Sequence, residues 1–213
     1  MIGKGSYGYV YQGLNLNNGK LMAVKFIEFK NKRNPEHVLK QRRSLKWETD
    51  IMNSLNHPNI VKYINSDYDE DKIQANIFME YVPGGSLSCL LKKFGPFNQK
   101  ITKIYLQQIL AALNHMHNKS IMHRDLKWAN ILISNDASIK ISDFGASKKL
   151  NKSKVTEGFE LTYSLKGSPY WIAPEVANQE GHGLKADIWS LGWLTIEMLT
   201  GQPPWSDRTK RAK

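Results

Sequence analysis

Cysteine is nearly absent: Cys89 is the one thiol in 213 residues. One thiol cannot close an intramolecular disulfide and cannot supply a cysteine-based zinc site. No uninterrupted apolar run reaches the roughly 18 residues that a membrane span requires. The N-terminal stretch MIGKGSYGYVYQG lacks the apolar core of a secretory signal. Fifteen glycines and eight prolines follow no collagen-like period, and neither internal repeats nor low-complexity segments are present. These absences predict a reduced, soluble protein of the cytoplasm. What remains is ordinary globular material. Hydrophobic residues are 41% and charged residues 23% of the chain, enough for a buried core and too apolar for a disordered tail.

Acidic residues are also in deficit, 19 against 30 basic, for a formal charge of +11. Such a surface attracts polyanions, and charge alone would motivate a nucleic-acid-binding protein. The excess is spread over several places, however. One stretch holds Lys30, Lys32, Arg33, Lys40, Arg42, Arg43 and Lys46. A second holds Lys148, Lys149, Lys152 and Lys154, and the tail holds Arg208, Lys210, Arg211 and Lys213. With no zinc-finger spacing and no aromatic–basic module, each reads as a solvated face, and no nucleic-acid partner is expected.

Periodicity divides the chain. The β-formers Tyr7, Tyr9, Val10 and Tyr11 lead to Asn17-Asn18-Gly19, a hairpin signal, and then to an apolar strand over 21–27. A helix is predicted from Pro35 to Asn56, with Leu45, Glu48, Met52 and Leu55 on one face and His57-Pro58 as its stop. Strands are predicted over 60–64 and 73–82, joined by an acidic turn from Asp67 to Asp71. Pro83-Gly84-Gly85 marks the expected boundary between a unit 1–82 and a unit 83–213. Beyond it lies a helix over 101–117, striped by Ile101, Tyr105, Ile109, Leu113 and Met116. A small hairpin over 131–141 follows, then a polar, aperiodic stretch over 144–170. The segment 187–200 is apolar on most sides and is expected to be a buried central helix ended by Gly201. Cys89, in an expected helix, is assigned to the core, and Trp171, Trp189, Trp193 and Trp205 to packing.

Three features carry chemistry. Gly3-Lys4-Gly5-Ser6-Tyr7-Gly8 is a G-x-G-x-x-G, weak by itself, and it leads into a strand instead of the helix that a dinucleotide fold needs. Lys25 inside an apolar strand and Glu48 on an apolar helix face would each be costly if buried alone. Paired they compensate, and the lysine can still reach an anion; the plainer alternative is that both snorkel to solvent. The third is a cluster in fixed order: His123-Arg124-Asp125-Leu126-Lys127-Trp128-Ala129-Asn130, then Asp143-Phe144-Gly145, then Ala173-Pro174-Glu175.

Together and in this order, these motifs resemble a eukaryotic protein kinase domain over residues 2 to about 206. The resemblance implies an α+β, bilobal fold: an N-terminal antiparallel sheet with one long helix, and a mainly helical C-terminal lobe. It also implies the roles. Gly3, Gly5 and Gly8 would let the backbone approach the phosphates of ATP, and Lys25 would hold the α and β phosphates, oriented by Glu48. Asn130 and Asp143 would coordinate Mg²⁺. Asp125 would accept the proton of the substrate hydroxyl, and Lys127 would neutralise charge on the γ-phosphate. Ile2, Val10, Ala23 and Leu132 would sandwich adenine, Glu80 and Val82 would offer it backbone groups, and Met79 would guard the back of the pocket. Met52, Tyr63, His123 and Phe144 would form the stack that aligns in active kinases.

Lys127 in H-R-D-L-K-x-x-N, with Ser168, matches the serine/threonine pattern. Residues 83–87, 143–148 and 167–176 resemble MAP kinase kinase kinases and Ste20-like kinases, which implies a MAP kinase kinase as protein substrate and an upstream activating kinase as partner. Trp128 departs from the small residue or proline usual at its position, which bears on the subfamily and on local packing, not on the catalytic set. The rival on the same fold is a pseudokinase or scaffold, and the complete charged set argues against it. Ser164, then Thr162, are the expected activation sites, with Arg124 as phosphate receiver. The resemblance runs out near Pro203-Pro204-Trp205, so the last helices of the domain are expected to be missing. In that case the 187–200 helix is left uncovered, and only Arg208 and Arg211 remain as partners for Glu175.

Overall fold

A computed structural model describes residues 1–5, 8–29, 34–70, 73–150, 162 and 167–206. The chain divides into two compact units. One comprises Met1–His57 with Val61–Pro83, and the other Pro58–Ile60 with Gly84–Lys213.

The first unit is an antiparallel sheet with one long helix. Strands β1 (Gly3–Gly5), β2 (Gly8–Leu14), β3 (Leu21–Glu28), β4 (Tyr63–Asp69) and β5 (Gln74–Glu80) lie in the order β1-β2-β3-β5-β4. The β2–β3 connection carries the Asn-Gly signal, and Gly19 takes φ +68°, a conformation open to glycine at little cost. Strand β3 buries Ala23, Lys25 and Ile27, the alternate residues of one face. Helix α1 (Pro35–Ser54) starts where the Asn34 side chain accepts the His37 N–H and Pro35 supplies a preset φ. Its inward face is Glu48, Ile51 and Met52, and Leu55 at its end is buried too. The expected strand over 60–64 starts later, at Tyr63. The acidic residues Asp67 and Asp69 lie in β4, paired with Asn76 and Gln74 of β5, and do not form the turn.

Ile60 instead serves the second unit. It bridges Ile141, the Ile141 N–H donates to the Asn59 carbonyl (2.9 Å), and the Asn59 amide donates to the Ile139 carbonyl (2.8 Å). The other elements here are α2 (Leu87–Phe94), α3 (Gln99–His117), the pairs β6 (Ile121–Met122) with β9 (Lys148–Lys149) and β7 (Ile131–Ile133) with β8 (Ile139–Ile141), then α4 (Pro174–Ala177) and α5 (Lys185–Thr200). Ile109, Met116, Ile131, Ile139, Ile141 and Met198 are fully buried in its core.

Three expectations need correction here. Ile101 is exposed and Thr102 takes its place on the buried stripe of α3, because the stripe steps to 105, 109 and 112–113 and position 101 lies one residue off that face. Cys89 lies on α2 as expected but is exposed, its sulfur accepting from the Ser86 hydroxyl. Helix α5 is buried on one face only: Ala186, Asp187, Ser190, Leu191, Leu194, Glu197 and Met198 are inside, whereas Ile188, Trp189, Ile196 and Leu199 are exposed. Of the tryptophans, Trp193 packs on Trp205 (centroids 4.7 Å apart), yet Trp189 and Trp205 keep exposed faces. Arg208 and Arg211, the expected partners of Glu175, lie outside the described residues.

Candidate active site

In the first unit the two anomalous charges meet. Lys25 Nζ lies 2.7 Å from Glu48 Oε1, and both side chains are more than nine-tenths buried. Burial of either alone would cost several kcal/mol, and each supplies the counter-charge that the other lacks. Snorkelling is excluded for both. The cation is aimed by two rigid elements, the central strand β3 and helix α1. Ala23 is buried two residues before Lys25 on the same face, and Val10 pairs in register with Lys25 itself. Val82 is buried, Met79 is half-buried opposite Ala23, and Ile2 is largely exposed, its N–H donating to the Val10 carbonyl. The Glu80 N–H is taken by the Lys62 carbonyl (3.0 Å).

Gly3 and Gly5 lie in β1 and Gly8 opens β2, so the G-x-G-x-x-G is a strand–strand connection. A side chain at Gly8 would run into the Phe26 carbonyl of β3. Close packing of two strands thus demands glycine at position 8 before any ligand is considered. At Gly3 a Cβ would meet only the Val10 side chain, at an ordinary 3.9 Å.

In the second unit the stretch between β6 and β7 folds around Asp125. Its Oδ2 accepts from Lys127 Nζ (2.8 Å) and from the Asn130 amide (3.1 Å), and its Oδ1 accepts from the Ser168 hydroxyl (2.8 Å). Lys127 Nζ also donates to Ser168 Oγ (2.8 Å), and the Asn130 amide reaches the Asp125 carbonyl (2.8 Å). The carboxylate is therefore fixed in orientation, remains an acceptor, and already receives a serine hydroxyl. Asp143 follows Ser142, whose N–H (2.8 Å) and hydroxyl (3.0 Å) both donate to the Asn130 carbonyl, so the two expected metal ligands belong to one joint. Phe144 is buried edge-on to His123, centroids 5.3 Å apart. The other two members of the expected stack, Met52 and Tyr63, belong to the first unit. Leu132 lies in β7, half-buried.

This joint is held in unusual backbone geometry. Arg124 has φ +67° and Asp143 φ +62°, left-handed values that non-glycine residues seldom adopt. The device that holds Arg124 is Asp187, which motif reading missed. Fully buried on α5, its carboxylate accepts the N–H groups of His123 and Arg124 (both 2.9 Å) and meets His117 Nε2 (2.9 Å). Burial pushes its pKa up. The His117 hydrogen bond, the neighbouring imidazoles and the Arg124 N–H more than offset that, so the net shift is downward. The Arg124 side chain donates to the Ala146 carbonyl (2.6 Å), which ties the loop to the segment after Asp143.

A second missed acid is Glu197, also on α5. It accepts from Trp171 Nε1 (3.0 Å), and Ser190 donates to the Trp171 carbonyl (2.8 Å). Burial raises its pKa to about 7, against the Trp171 hydrogen bond; the Trp128 indole also favours the charged form but falls outside hydrogen-bond geometry. Trp128 is itself buried, tilted against Phe97 at 6.3 Å between centroids. Both acids carried the signal that exposed Lys25 and Glu48, a charge on an apolar face. Of the expected activation sites, Thr162 is buried in a two-way backbone bridge with His182, and Ser164 lies outside the described residues.

Among the described residues no cluster of three or more His, Cys, Asp or Glu side chains could hold a metal unaided. Asn130 and Asp143 nevertheless fit Mg²⁺. The ion wants oxygen ligands and is commonly bound through one or two protein groups, with substrate phosphates and water completing the shell.

A protein kinase domain model matches residues 1–213. Mitogen-activated protein kinase kinase kinase ANP1 of Arabidopsis thaliana is 46% identical over 211 residues, which is 99% of this chain and 31% of that protein. Mitogen-activated protein kinase kinase kinase 3 of the same plant is 46% identical over 98% of this chain and 31% of its own length. Mitogen-activated protein kinase kinase kinase A of Dictyostelium discoideum is 45% identical over 100% of this chain and 22% of its own length. The chain thus spans under a third of the length of these curated relatives. With its motifs folded into the geometry above, the chain belongs to the protein kinase domain family, and the relatives named here are mitogen-activated protein kinase kinase kinases.

Proposed function

We propose that the chain transfers the γ-phosphoryl group of ATP to serine or threonine hydroxyls of a protein substrate, a MAP kinase kinase, within a MAP-kinase-type cascade. The observation that carries this reading is the Asp125 carboxylate, held by Lys127 and Asn130 and already accepting a serine hydroxyl. In the reaction the substrate oxygen bonds to the γ-phosphorus, the bond from that phosphorus to its bridging oxygen breaks, and ADP leaves. Asp125 orients the hydroxyl and receives its proton, and Lys127 offsets charge on the transferring group. Lys25, aimed by Glu48, holds the α and β phosphates, with Gly3, Gly5 and Gly8 lining the backbone beside them. Ile2, Val10, Ala23 and Leu132 enclose adenine, and Glu80 and Val82 offer it backbone groups. Asn130 and Asp143 hold Mg²⁺, whose contribution when bound is neutralisation of phosphate charge. Residues 1–82 and 83–213 act as the two lobes. The proposed site of action is the cytoplasm. No helix among the described residues is long and apolar enough to cross a membrane.

The test is phosphate transfer from labelled ATP to a purified MAP kinase kinase, followed by phosphoamino-acid analysis. Phosphoserine and phosphothreonine are expected, with a loss on the order of a thousandfold or more in Asp125→Asn and Asp143→Asn. Phosphotyrosine as the main product refutes the specificity. Equal incorporation by wild type and both variants refutes the mechanism, and no transfer by folded wild type favours the scaffold reading.

A further inference from the structure

Trp128 departs from the family pattern, and the phosphotransfer scheme gives it no task. It opens a short turn over Trp128–Asn130, between Lys127 and Asn130, two of the side chains that hold Asp125. It is 3% exposed, and its ring lies tilted against Phe97. Phe97 is itself fixed, its N–H donating to the Met198 carbonyl of α5 (2.7 Å) and its ring meeting Tyr105 edge-on. The ring of Trp128 is therefore seated without help from its nitrogen. Yet the indole Nε1 is buried with no hydrogen-bond partner. A phenylalanine would fill most of the same space without the cost of an unmet donor.

The acceptor nearby is Glu197, whose charged form the Trp128 indole favours from just outside hydrogen-bond geometry. Glu197 is 8% exposed on α5, and its Oε2 already accepts from Trp171 Nε1 at 3.0 Å. A carboxylate has two oxygens and about four acceptor sites, so one indole leaves it under-satisfied. Trp171 closes a turn over Pro169–Trp171 that starts directly after Ser168, and its carbonyl is tied to α5 by the Ser190 hydroxyl (2.8 Å). Two indoles thus converge on one buried acid. One comes from the residue after Lys127, the other from three residues after Ser168. Lys127 and Ser168 are the residues that meet at Asp125.

We propose that Trp128 and Glu197 are positioning residues for phosphotransfer: the Glu197 carboxylate takes the N–H groups of both Trp128 and Trp171, and so fixes the loop bearing Asp125 and Lys127 against the segment bearing Ser168. The inference rests on the phosphotransfer reading and adds to it a means of keeping the substrate hydroxyl in line. Catalytic groups have to be held within ~0.5 Å of their productive places, and rates fall steeply when they are not. Donors to an ionised carboxylate are the strong kind. Burial leaves this acid titrating at about 7, so at pH 8 most of it carries the charge that draws in the second N–H.

The experiment compares the 213-residue wild type with Trp128→Phe, Glu197→Gln and the double variant at pH 8. It reads transfer to a purified MAP kinase kinase, the melting temperature and the indole N–H resonances of the six tryptophans. Trp128→Phe keeps a ring on Phe97 and removes the donor. The amide of Glu197→Gln keeps an oxygen for Trp171 and offers Trp128 a donor where it needs an acceptor. Each single variant should lose about tenfold in kcat, with the KM for ATP within about twofold and a melting temperature no lower than that of wild type. The double variant should lose no more than either single one, as a shared contact implies. Two wild-type indole protons, assigned by their loss in Trp128→Phe and in Trp171→Phe, should lie downfield, and both should move in Glu197→Gln. Trp189→Phe, at an exposed position of the same helix, should behave as wild type does. Unchanged kcat in both single variants overturns the proposal. So do losses that multiply in the double variant, or a kcat that falls only in step with the melting temperature. A Trp128 resonance that stays put in Glu197→Gln overturns the link itself. If folded wild type transfers no phosphate, the phosphotransfer reading falls and this role with it, whereas failure of this role alone leaves wild-type transfer intact.

Discussion

Lys25 and Glu48 show how much one misplaced charge can reveal. A lysine among Ala23, Val24, Phe26 and Ile27 has no reason to be there unless something anionic awaits it, and the structure supplies Glu48 at 2.7 Å. The pair also sets an asymmetry that mutagenesis can read. Lys25→Met is expected to abolish transfer and to destabilise the fold by ~3–5 kcal/mol, since it strands a buried carboxylate. Lys25→Met/Glu48→Met should be equally inactive yet melt well above the single variant, because an apolar pair fits where a lone charge does not. Thermal unfolding of both, beside a transfer assay, checks this.

Glu197 yields a pH dependence of definite sign. Its carboxyl titrates at about 7 in the folded chain and at 4.5 unperturbed. Between those values the folded state holds the proton more tightly than the unfolded one. This acid therefore contributes stability that is complete below pH 4.5 and is lost as pH rises through 7. Glu197→Gln keeps an acceptor for the Trp171 N–H and cannot ionise. It should melt a few degrees above wild type at pH 8, and the two should converge near pH 5. A gap that instead widens toward acid would show that the carboxylate is stabilised, not strained, where it lies.

At the scale of elements, legibility followed the strength of the local signal. The Asn-Gly hairpin, the two long helices and the 131–141 hairpin were all predictable, because capping, turn chemistry and apolar period agree in each. Helix α3 is a good case. Asn98 accepts the Ile101 N–H at 2.9 Å, and Thr102, Tyr105, Ile109 and Met116 run along its buried side. Asn98→Ala should cost ~1 kcal/mol, the usual worth of such a cap, measurable as a lower denaturation midpoint at unchanged slope. Strand β4 is less legible. Its sequence, YINSDYD, carries acids that resemble a turn, and only pairing with β5 makes it a strand. Ile60 reads as part of a strand it does not join, because its partner, Ile141, lies 81 positions away and leaves no local trace. The apolar run of α5 likewise does not say which of its faces is covered.

For the whole molecule, the motifs specified which residues meet around Asp125 but not what keeps them there. The residues 123–127 around Asp125 lie between strands β6 and β7, whereas Asp187 and Glu197 sit on a helix that ordinary hydropathy reads as packing. The link from Asp187 to Arg124 spans 63 positions of chain, and that to His123 spans 64. This has a consequence for time as well as for geometry. Residues 123 and 124 are synthesised long before residue 187 exists, so the emerging chain has no buried carboxylate with which to hold Arg124 at φ +67°. Until α5 docks, the loop is free to relax to ordinary backbone angles, and closing so distant a contact costs loop entropy that local helix formation does not. The first unit can complete its Lys25–Glu48 pair while the second is still unfinished. Competence for chemistry is thus conferred late and all at once, by an event of tertiary assembly.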